Sequence, residues 1–269
     1  MNIALVPKIE ALCRGYRREL FEKFLSLGQG HPGSTFSMLE IVVTLYHGGF
    51  IRFNRQESRF IDKVIVSKGH ATVALYPILA NFGVIKQSEW DKWGSGESTL
   101  RVFGNTSIPG IDVTSGSLGH GVGVGIGMAI ARAERSPSSR VFVIISEGEL
   151  YEGSTWEALL IATHKKLKNF TIIVDVNSLI ILGKTADCVG LEPIEGKISA
   201  FGINTHSVDG HNVMELINTF SNLKNDAPQC VIAKTTKGKG FSIMEGRPEW
   251  HYWNSLNHEQ ISLCRKEVS

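Results

Sequence analysis

The second half of the chain alternates short apolar runs with segments of helical spacing, and this order constrains the fold more than any other feature. Segments 155–167 and 212–222 have the apolar spacing of helices. Apolar runs suited to buried strands lie at 140–145, 170–176 and 230–233, and we expect a further strand at 204–208. Strands and helices in alternation predict an α/β fold, in which a parallel sheet carries helices on both faces. Ligands of such sheets bind beyond the carboxyl ends of the strands.

The first half is less regular. Apolar residues recur at three- and four-residue steps over 6–27, which predicts a helix that the glycine-rich turn 28–33 ends. Residues 88–118 are rich in Gly, Ser and Thr, so we expect them to be irregular and to lie over a site rather than in the core. Three further segments have the pattern of regular elements: a helix over 37–47, a strand at 64–66 and a helix from 68–70 to about 82.

Composition excludes several classes of protein. The chain has 269 residues, 42% of them hydrophobic, which is enough to bury a sizeable core. We find no internal repeat and no low-complexity linker, and we expect one domain over 1–269. The net charge is +2 and no basic stripe is present, which argues against nucleic acid as a partner. No apolar run is long enough to span a bilayer, so we expect no membrane association.

The cysteines and the N-terminal segment favour a cytoplasmic location. No secretion signal is apparent in residues 1–18, because no continuous apolar core is followed by small residues. Scattered cysteines without a CxxC pair favour reduced thiols in a cytoplasm and argue against a zinc ribbon or a disulfide frame. The cysteines are Cys13, Cys188, Cys230 and Cys264.

Polar residues follow two of the predicted strands. Ser146-Glu147-Gly148-Glu149-Leu150 comes directly after 140–145, and Asn177 follows the next strand. One helix joins these strands, so a right-handed crossover brings them close together. A carboxylate and an amide oxygen so placed could hold a hard cation that bridges to phosphate. The same residues also fit a solvated turn and an ordinary asparagine after a strand, and geometry alone leaves both interpretations open.

Glycine occupies every second position from Gly119 to Gly127. We interpret this segment as a loop that runs into a close-packed helix, with backbone amides that could approach a diphosphate. A dinucleotide-binding fingerprint is excluded by spacing, because GxGxxG started at Gly119, Gly121 or Gly123 does not end on glycine. The alternative is that the glycines serve helix packing alone.

Taken together, these motifs resemble those of the transketolase family, in one order over roughly residues 7–255. The span 146–183 is similar to its thiamine diphosphate motif, in which Gly-Asp-Gly is followed about two dozen residues later by an asparagine. Segment 115–121 resembles the family's Gly-Ser-Leu-Gly-Gln-Gly, and 234–240 resembles its Lys-Thr-x-Lys-Gly-Lys-Gly. The resemblance implies the thiamine diphosphate-binding fold of the family's diphosphate domain.

Cofactors follow from the same resemblance: thiamine diphosphate, with Mg²⁺ or another divalent ion such as Ca²⁺ or Mn²⁺. Glu147, Asn177 and the backbone carbonyl of Leu179 would be the metal ligands, and Lys237 would approach the diphosphate, a reasonable place for a fixed cation. The full set implied for cofactor binding is His70, Gly116, Ser117, Leu118, Gly148, Glu149, Asn177, Lys237 and His251.

Three histidines lie in loops similar to those of the family, namely Gly30-His31-Pro-Gly33, Ser67-Lys-Gly-His70-Ala71 and Trp250-His251. The resemblance implies that they face the donor sugar and the thiazolium ring and act in catalysis. Imidazole titrates near neutral pH and can exchange protons with a sugar hydroxyl or carbonyl. His120 and His211 carry weaker signals, and we interpret His211, in Val208-Asp-Gly-His211, as structural.

Two departures from the family pattern bear on function. Ser146-Glu147 replaces Gly-Asp, and Glu is one methylene longer than Asp, so the metal site is altered. The family's further histidine, shortly before Gly-Ser-Leu-Gly, is absent, and Val102 or Phe103 takes its place. Tyr252 replaces the glycine expected after Trp-His. These apolar and aromatic residues lead to the hypothesis of an altered substrate and a specialised, biosynthetic carboligase.

The resemblance covers only the diphosphate-binding half of a transketolase. It implies transfer of a two-carbon ketol unit from a ketose to an aldehyde. It also implies a C-terminal partner subunit, which would carry the pyrimidine domain and the cofactor-activating glutamate, in a heterotetramer. Two alternatives stay open: a thiamine-dependent carboligase that uses a 2-oxo acid donor, and a degenerate, non-catalytic partner subunit.

Overall fold

The computed structural model describes residues 4–224 and 226–269. Its helices are, in chain order, α1 (Leu5–Leu27), α2 (Pro32–Ser37), α3 (Leu39–His47), α4 (Tyr76–Asn81), α5 (Gln87–Asp91), α6 (His120–Arg135), α7 (Gly153–His164), α8 (Thr185–Cys188), α9 (Ile194–Ala200), α10 (Val213–Ser221) and α11 (His258–Glu267). Three 3₁₀ segments cover Gly69–Leu75, Glu147–Tyr151 and Pro248–His251. The strands are β1 (Phe53–Asn54), β2 (Arg59–Phe60), β3 (Lys63–Val66), β4 (Val141–Ser146), β5 (Phe170–Val176), β6 (Leu179–Ile180), β7 (Gly183–Lys184), β8 (Asn204–Asp209) and β9 (Gln229–Lys234).

A five-stranded sheet in the order β3-β4-β5-β9-β8 forms the centre of the molecule. Each pairing within it is parallel. Strands β4 and β5 are direct neighbours, with Ser146 aligned to Asp175. The predicted α/β fold is therefore confirmed, together with the closeness of the two strands that precede Glu147 and Asn177. Two short antiparallel hairpins, β1-β2 and β6-β7, lie outside this sheet.

Both faces of the sheet are covered, because alternate residues of each strand point to opposite sides. Phe142 and Ile144 of β4 belong to a core shared with α1, α3 and α10. Val141, Val143 and Ile145 of the same strand belong to a second core, shared with α6, α7 and α9. A strand buried on both sides is expected to be apolar on both sides, which explains why the β4 run shows no polar alternation.

Helix α6 begins at His120, so the glycines at 121–127 lie within the helix. The predicted loop over this segment is wrong, and the packing alternative explains two of the glycines. A Cβ added at Gly121 would overlap Ser67, and one added at Gly125 would overlap Val143. The absent side chains let α6 lie directly against β3 and β4, a close approach that a larger residue would prevent.

Other element boundaries differ in detail. The helix predicted over 37–47 begins at Leu39 as α3, and the separate helix α2 begins at Pro32, within the predicted turn 28–33. The helix predicted from 68–70 starts as a 3₁₀ segment. Sequence reasoning missed α8, α9, α11 and both hairpins. Helix α11 did carry a signal: Asn257 and Gln260 form a capping box, in which each side chain bonds the other's backbone N–H.

Over the described ranges 4–224 and 226–269, no helix combines the length and apolar content needed to cross a bilayer.

Candidate active site

The carboxyl ends of four neighbouring strands meet at one edge of the sheet, and each is followed by a candidate residue. His70 follows β3, Glu147 follows β4, Asn177 follows β5 and Lys237 follows β9. A cavity of about 400 Å³ is formed by the loops at this edge. Nine predicted site residues line it together: His31, His70, Gly116, Leu118, Gly148, Asn177, Leu179, Lys237 and His251.

Three predicted site residues do not line the cavity. Ser117 is exposed, although its neighbours Gly116 and Leu118 do line the cavity. Glu147 and Glu149 are buried, with 3% and 0% of their surfaces exposed. Three residues of segment 88–118, namely Phe103, Gly116 and Leu118, line the cavity, and the segment is irregular apart from α5 at its start. The expectation that this segment stays out of the core is wrong, because Trp90, Trp93, Leu100 and Ile108 are buried in it.

Three histidine rings from separate loops form one cluster in the cavity wall. The ring centroids of His31 and His70 are 5.2 Å apart, and that of His251 is 5.4 Å from each. The backbone N–H of Trp253 donates to the carbonyl of Gly30 at 2.9 Å, which ties the His251 segment to the His31 loop. Distant parts of the sequence thus present imidazoles to the same space.

Burial lowers the pKa of each of these imidazoles. The nearby Lys237 ammonium adds to the effect on His31, and Lys68 adds to it on His70, whose pKa lies well below the usual value. Burial and then Lys237 lower the pKa of His251 to about 4. The three rings are therefore neutral near pH 7, each with one donor and one acceptor nitrogen. His31 Nδ1 is buried and has no hydrogen-bond partner among the described residues, so it is free for a ligand.

Lys237 is the cation of the cavity. It is 2% exposed, and its Nζ lies 3.1 Å from His251 Nδ1. Burial, with the like charge of Lys68, lowers its pKa to about 8. Gly33 makes room for it, because an added Cβ would lie 2.7 Å from the Trp250 carbonyl oxygen and 3.0 Å from Lys237 Cγ. A lysine so confined has few side-chain conformations to lose when an anion binds.

A buried ion pair supports the cavity at the sheet edge. Lys68 and Asp175 are in contact and fully shielded from solvent. Lys68 Nζ also donates to the Ser34 carbonyl at 3.0 Å, while the hydroxyls of Ser37 and Thr235 donate to Asp175. Burial acts to raise the pKa of Asp175, but the Lys68 charge and these hydrogen bonds hold it below the usual range. Sequence reasoning missed this pair, although an aspartate within the apolar run 170–176 was a signal of a buried, paired charge.

Glu149 supports the start of α6 instead of facing the cavity. Its Oε1 accepts from the backbone N–H of Gly119 at 2.9 Å and from the hydroxyl of Ser67. Ser67 in turn accepts from the N–H of Gly121 at 3.1 Å. Burial raises the pKa of Glu149. A carboxyl group at this helix N-terminus satisfies amides that the helix leaves free.

The predicted metal ligands are only partly assembled. Asn177 and Leu179 line the cavity, and Asn177 Oδ1 accepts from the N–H of Leu179 at 3.2 Å. The Glu147 carboxylate is turned elsewhere: Oε2 accepts from the N–H of Ser178 at 2.7 Å and Oε1 from the hydroxyl of Thr185 at 2.5 Å. The donor set fits a hard divalent cation in kind, since all three ligands are oxygens. The position of Glu147 does not fit such a site, because its carboxylate faces the β6-β7 hairpin and does not line the cavity.

Two aromatic residues form the rim of the cavity. Phe103 is 41% exposed and Tyr252 is 53% exposed, and both line the cavity. Their ring centroids lie 6.0 Å and 5.0 Å from that of His31. Val102 packs against the core instead, so Phe103 is the residue of this pair that lines the cavity.

A larger open groove of about 1070 Å³ runs along α1, between residues such as Lys8, Arg18 and Glu22. None of the predicted site residues lines it. Among the described residues, its walls hold neither a histidine cluster nor a buried lysine, whereas the cavity at the sheet edge holds both.

Known proteins agree with this architecture. Residues 20–269 match the family described as "Transketolase, thiamine diphosphate binding domain". The chain is 37% identical, over 89% of its length and 87% of the relative's, to a subunit of the apulose-4-phosphate transketolase of Actinobacillus succinogenes. It is 32% identical to a 6-deoxy-6-sulfo-D-fructose transketolase subunit of a Clostridium species, over 87% of both chains.

Among solved structures, the transketolase of Campylobacter jejuni superposes with a TM-score of 0.86 at 25% identity. The superposition covers all of this chain and 43% of that one. The resemblance inferred from the motifs is thereby confirmed. With a family match over most of its length and relatives above 30% identity across nearly all of theirs, this chain belongs to the transketolase family and corresponds to its thiamine diphosphate-binding domain.

Proposed function

We propose that residues 1–269 are a single thiamine diphosphate-binding domain and form one subunit of a two-subunit transketolase. The enzyme would move a two-carbon ketol unit from a ketose donor to an aldehyde acceptor. One observation carries the proposal: His31, His70, His251 and Lys237, from four separate loops, meet in one cavity at the carboxyl edge of the sheet. A parallel α/β sheet binds its ligands at this edge.

The residues around the cavity fit thiamine diphosphate. Lys237 offers a confined ammonium for the diphosphate, and the exposed backbone of Gly116 lines the same cavity. When bound, the cofactor supplies a thiazolium that stabilises the carbanion formed by carbon–carbon cleavage. Everything else in the reaction falls to the protein: binding, orientation, exclusion of water and movement of protons.

A divalent cation, Mg²⁺ or a similar ion such as Ca²⁺ or Mn²⁺, is part of the proposal. Asn177, the carbonyl of Leu179 and the Glu147 carboxylate would hold it beside the diphosphate. Glu147 has to exchange its bond to Thr185 for the cation, which is why we expect weaker metal binding than an aspartate at this position would give.

The neutral histidines can bind and relay protons to a sugar. His31 and His70 can each accept a proton from a donor hydroxyl at one ring nitrogen and donate one at the other, whereas His251 accepts from Lys237 at Nδ1 and can donate from Nε2. His31 Nδ1, buried without a partner, is the nitrogen best placed to receive a substrate hydrogen bond. Partial burial of the three rings favours their neutral form.

A partner chain completes the proposed enzyme. Two relatives similar to this chain over nearly their whole length are themselves named as subunits of transketolases. We propose a C-terminal transketolase-like subunit, with the pyrimidine domain and the glutamate that activates the cofactor, in a heterotetramer. Native mass spectrometry of the purified complex tests the stoichiometry, and a stable homodimer that is fully active without another chain would contradict it.

The rim of the cavity bears on the substrate. Phe103 offers no hydrogen bond to a donor hydroxyl, and an unpaired buried hydroxyl costs about 1–3 kcal/mol. We therefore propose a specialised donor rather than xylulose 5-phosphate, in a biosynthetic setting. The named substrates of the relatives, apulose 4-phosphate and 6-deoxy-6-sulfofructose, are the first donors to assay. Turnover of xylulose 5-phosphate at ordinary transketolase rates would refute the specialised donor.

Two other outcomes have distinct signatures. Release of carbon dioxide from pyruvate by the reconstituted complex would indicate a carboligase that uses a 2-oxo acid. The engagement of Glu147 with Thr185 is the one observation that favours a degenerate subunit. Such a subunit would bind neither metal nor cofactor, and the Ser146→Gly/Glu147→Asp double variant would restore both.

A further inference from the structure

A second buried ionic cluster lies behind the Lys237 loop, apart from the Lys68–Asp175 pair. Arg17 of α1 forms an ion pair with Glu40 of α3. His211, which follows β8, holds the other Glu40 oxygen, with Nδ1 and Oε2 3.0 Å apart. The three side chains are only 8%, 9% and 12% exposed. Burial acts to raise the pKa of Glu40, but Arg17 and His211 lower it below the usual range.

Both ends of this cluster hold the loop that carries Lys237. The backbone N–H of Thr236 donates to His211 Nε2 at 2.7 Å. Arg17 Nε donates to the carbonyl of Lys239 at 3.0 Å. Because His211 Nε2 accepts, the ring proton is on Nδ1 and is donated to Glu40. The two contacts therefore lie on either side of Lys237 in the chain and are joined through one buried carboxylate.

We propose that His211 is a positioning residue for Lys237. With Glu40 and Arg17 it fixes the backbone of the loop, so that the Lys237 ammonium is held in the cavity, 3.1 Å from His251, for the cofactor's diphosphate. The inference rests on the proposed function, which gives Lys237 its diphosphate role. Through this network His211 acts on the site without lining the cavity.

Two amide substitutions separate the contacts of His211. In His211→Asn, the side-chain amide can still donate to Glu40 from the position of Nδ1, but no atom reaches Thr236. In His211→Gln, the amide oxygen extends to the position of Nε2 and can accept from Thr236. Calorimetric titration of the complex with its partner should show thiamine diphosphate affinity about ten- to hundredfold weaker for Asn, as is typical when an orienting group is lost. The Gln variant should stay within about threefold of the parent protein.

A double-mutant cycle with Lys237→Ala distinguishes positioning from a general structural effect. If His211 acts through Lys237, His211→Asn should cause no further loss of affinity once Lys237 is removed. Equal losses in both backgrounds would overturn the inference. If His211→Asn does not fold, His211→Phe, which keeps the ring volume, enters the same cycle.

The proposed function and the inference fail separately in this experiment. An unchanged affinity in Lys237→Ala would reject the diphosphate role of Lys237. A weakened Lys237→Ala together with an unaffected His211→Asn would reject only the positioning role of His211.

Discussion

Individual charged residues in this protein are placed where burial changes their behaviour. Lys68 and Asp175 share a fully buried ion pair, and Lys237 remains nearly buried with a lowered pKa. Water does not screen these charges, so each depends on its partner or on an incoming anion. Removal of one partner should therefore lower the stability of the chain, and titration of Lys237 should change its affinity for an anion.

Asp175→Asn should destabilise the chain by about 3–5 kcal/mol, because it leaves the Lys68 charge buried without a counter-charge. The free energy of unfolding in urea measures the effect. Ser37→Ala is the matched control, since it removes one hydrogen bond to the same carboxylate but leaves both charges in place, and such a bond to a charged group is worth about 1.5–3 kcal/mol. If both variants lost the same stability, Asp175 would not be acting as a counter-ion.

Lys237 should make cofactor binding dependent on pH. Its pKa of about 8 means that above pH 8 the free protein has to take up a proton to bind the diphosphate, so affinity should fall by up to about tenfold per pH unit. The stability of the cofactor-free protein should change in the opposite sense. Between pH 8 and 10.5 the unfolded lysine binds more protons than the folded one, so stability rises with pH.

Calorimetric titration of thiamine diphosphate between pH 7 and 10 measures this linkage. Lys237→Arg is the control, because arginine stays protonated throughout this range and should flatten the profile. An unaltered profile in the Arg variant would assign the pH dependence to another group.

Phe103→His should improve turnover of xylulose 5-phosphate, because it offers a donor hydroxyl the hydrogen bond that Phe103 lacks. A gain of about tenfold in kcat/KM corresponds to one such bond. Phe103→Leu, which changes the size of the side chain but adds no polar group, should show no gain. An equal gain in the Leu variant would point to steric access rather than to hydrogen bonding.

Among the elements, α6 shows most clearly what packing adds to sequence pattern. Glycine at every second position suits neither a regular helix nor a strand, and it led to the prediction of a loop. The helix forms because Gly121 and Gly125 lie against Ser67 and Val143, where a side chain would overlap. Gly123 and Gly127 face open space.

These two groups of glycines should respond in opposite ways to alanine. Gly125→Ala should destabilise the chain by about 1–3 kcal/mol through overpacking. Gly123→Ala should stabilise it by about 0.5–1 kcal/mol, since alanine favours the helix and meets nothing there. Thermal and urea unfolding of the two variants provide the comparison, and a shared sign would contradict the assigned packing of α6.

Elements whose pattern depends on local periodicity could be predicted from the sequence. The apolar run 170–176 is continuous because β5 is central and buried on both faces, and α1 keeps its period over 23 residues. Short elements such as α9 have too few residues for a period to appear. The capping box of Asn257 and Gln260 is the sequence signal for the start of α11.

Site residues could be predicted as far as motif and strand order determine them. His31, His70, Lys237 and His251 were named from loops that the fold does bring together. Contacts between side chains that are distant in the chain could not be predicted from the sequence. The Glu147 carboxylate accepts a hydrogen bond from Thr185, 38 residues away, and no sequence motif links the two residues.

At the scale of the whole molecule, the chain forms a cavity whose polar residues lie along the sheet edge and whose mouth is open. The sheet edge carries the histidine cluster, two of the proposed metal ligands and Lys237, which we propose as the cation for the diphosphate. Phe103 and Tyr252 leave much of their surface exposed at its mouth. The proposed partner would close this side and supply the activating glutamate.

The most direct test of the proposed function is the amount of thiamine diphosphate and divalent metal bound per chain in the complex purified with its partner from the native cell. We expect about one cofactor and one metal ion per chain, held by the Lys237 cavity and by the ligands Glu147, Asn177 and Leu179. A stable complex that holds neither, even after both are added in excess, would contradict the proposed function and would identify the chain as a non-catalytic subunit.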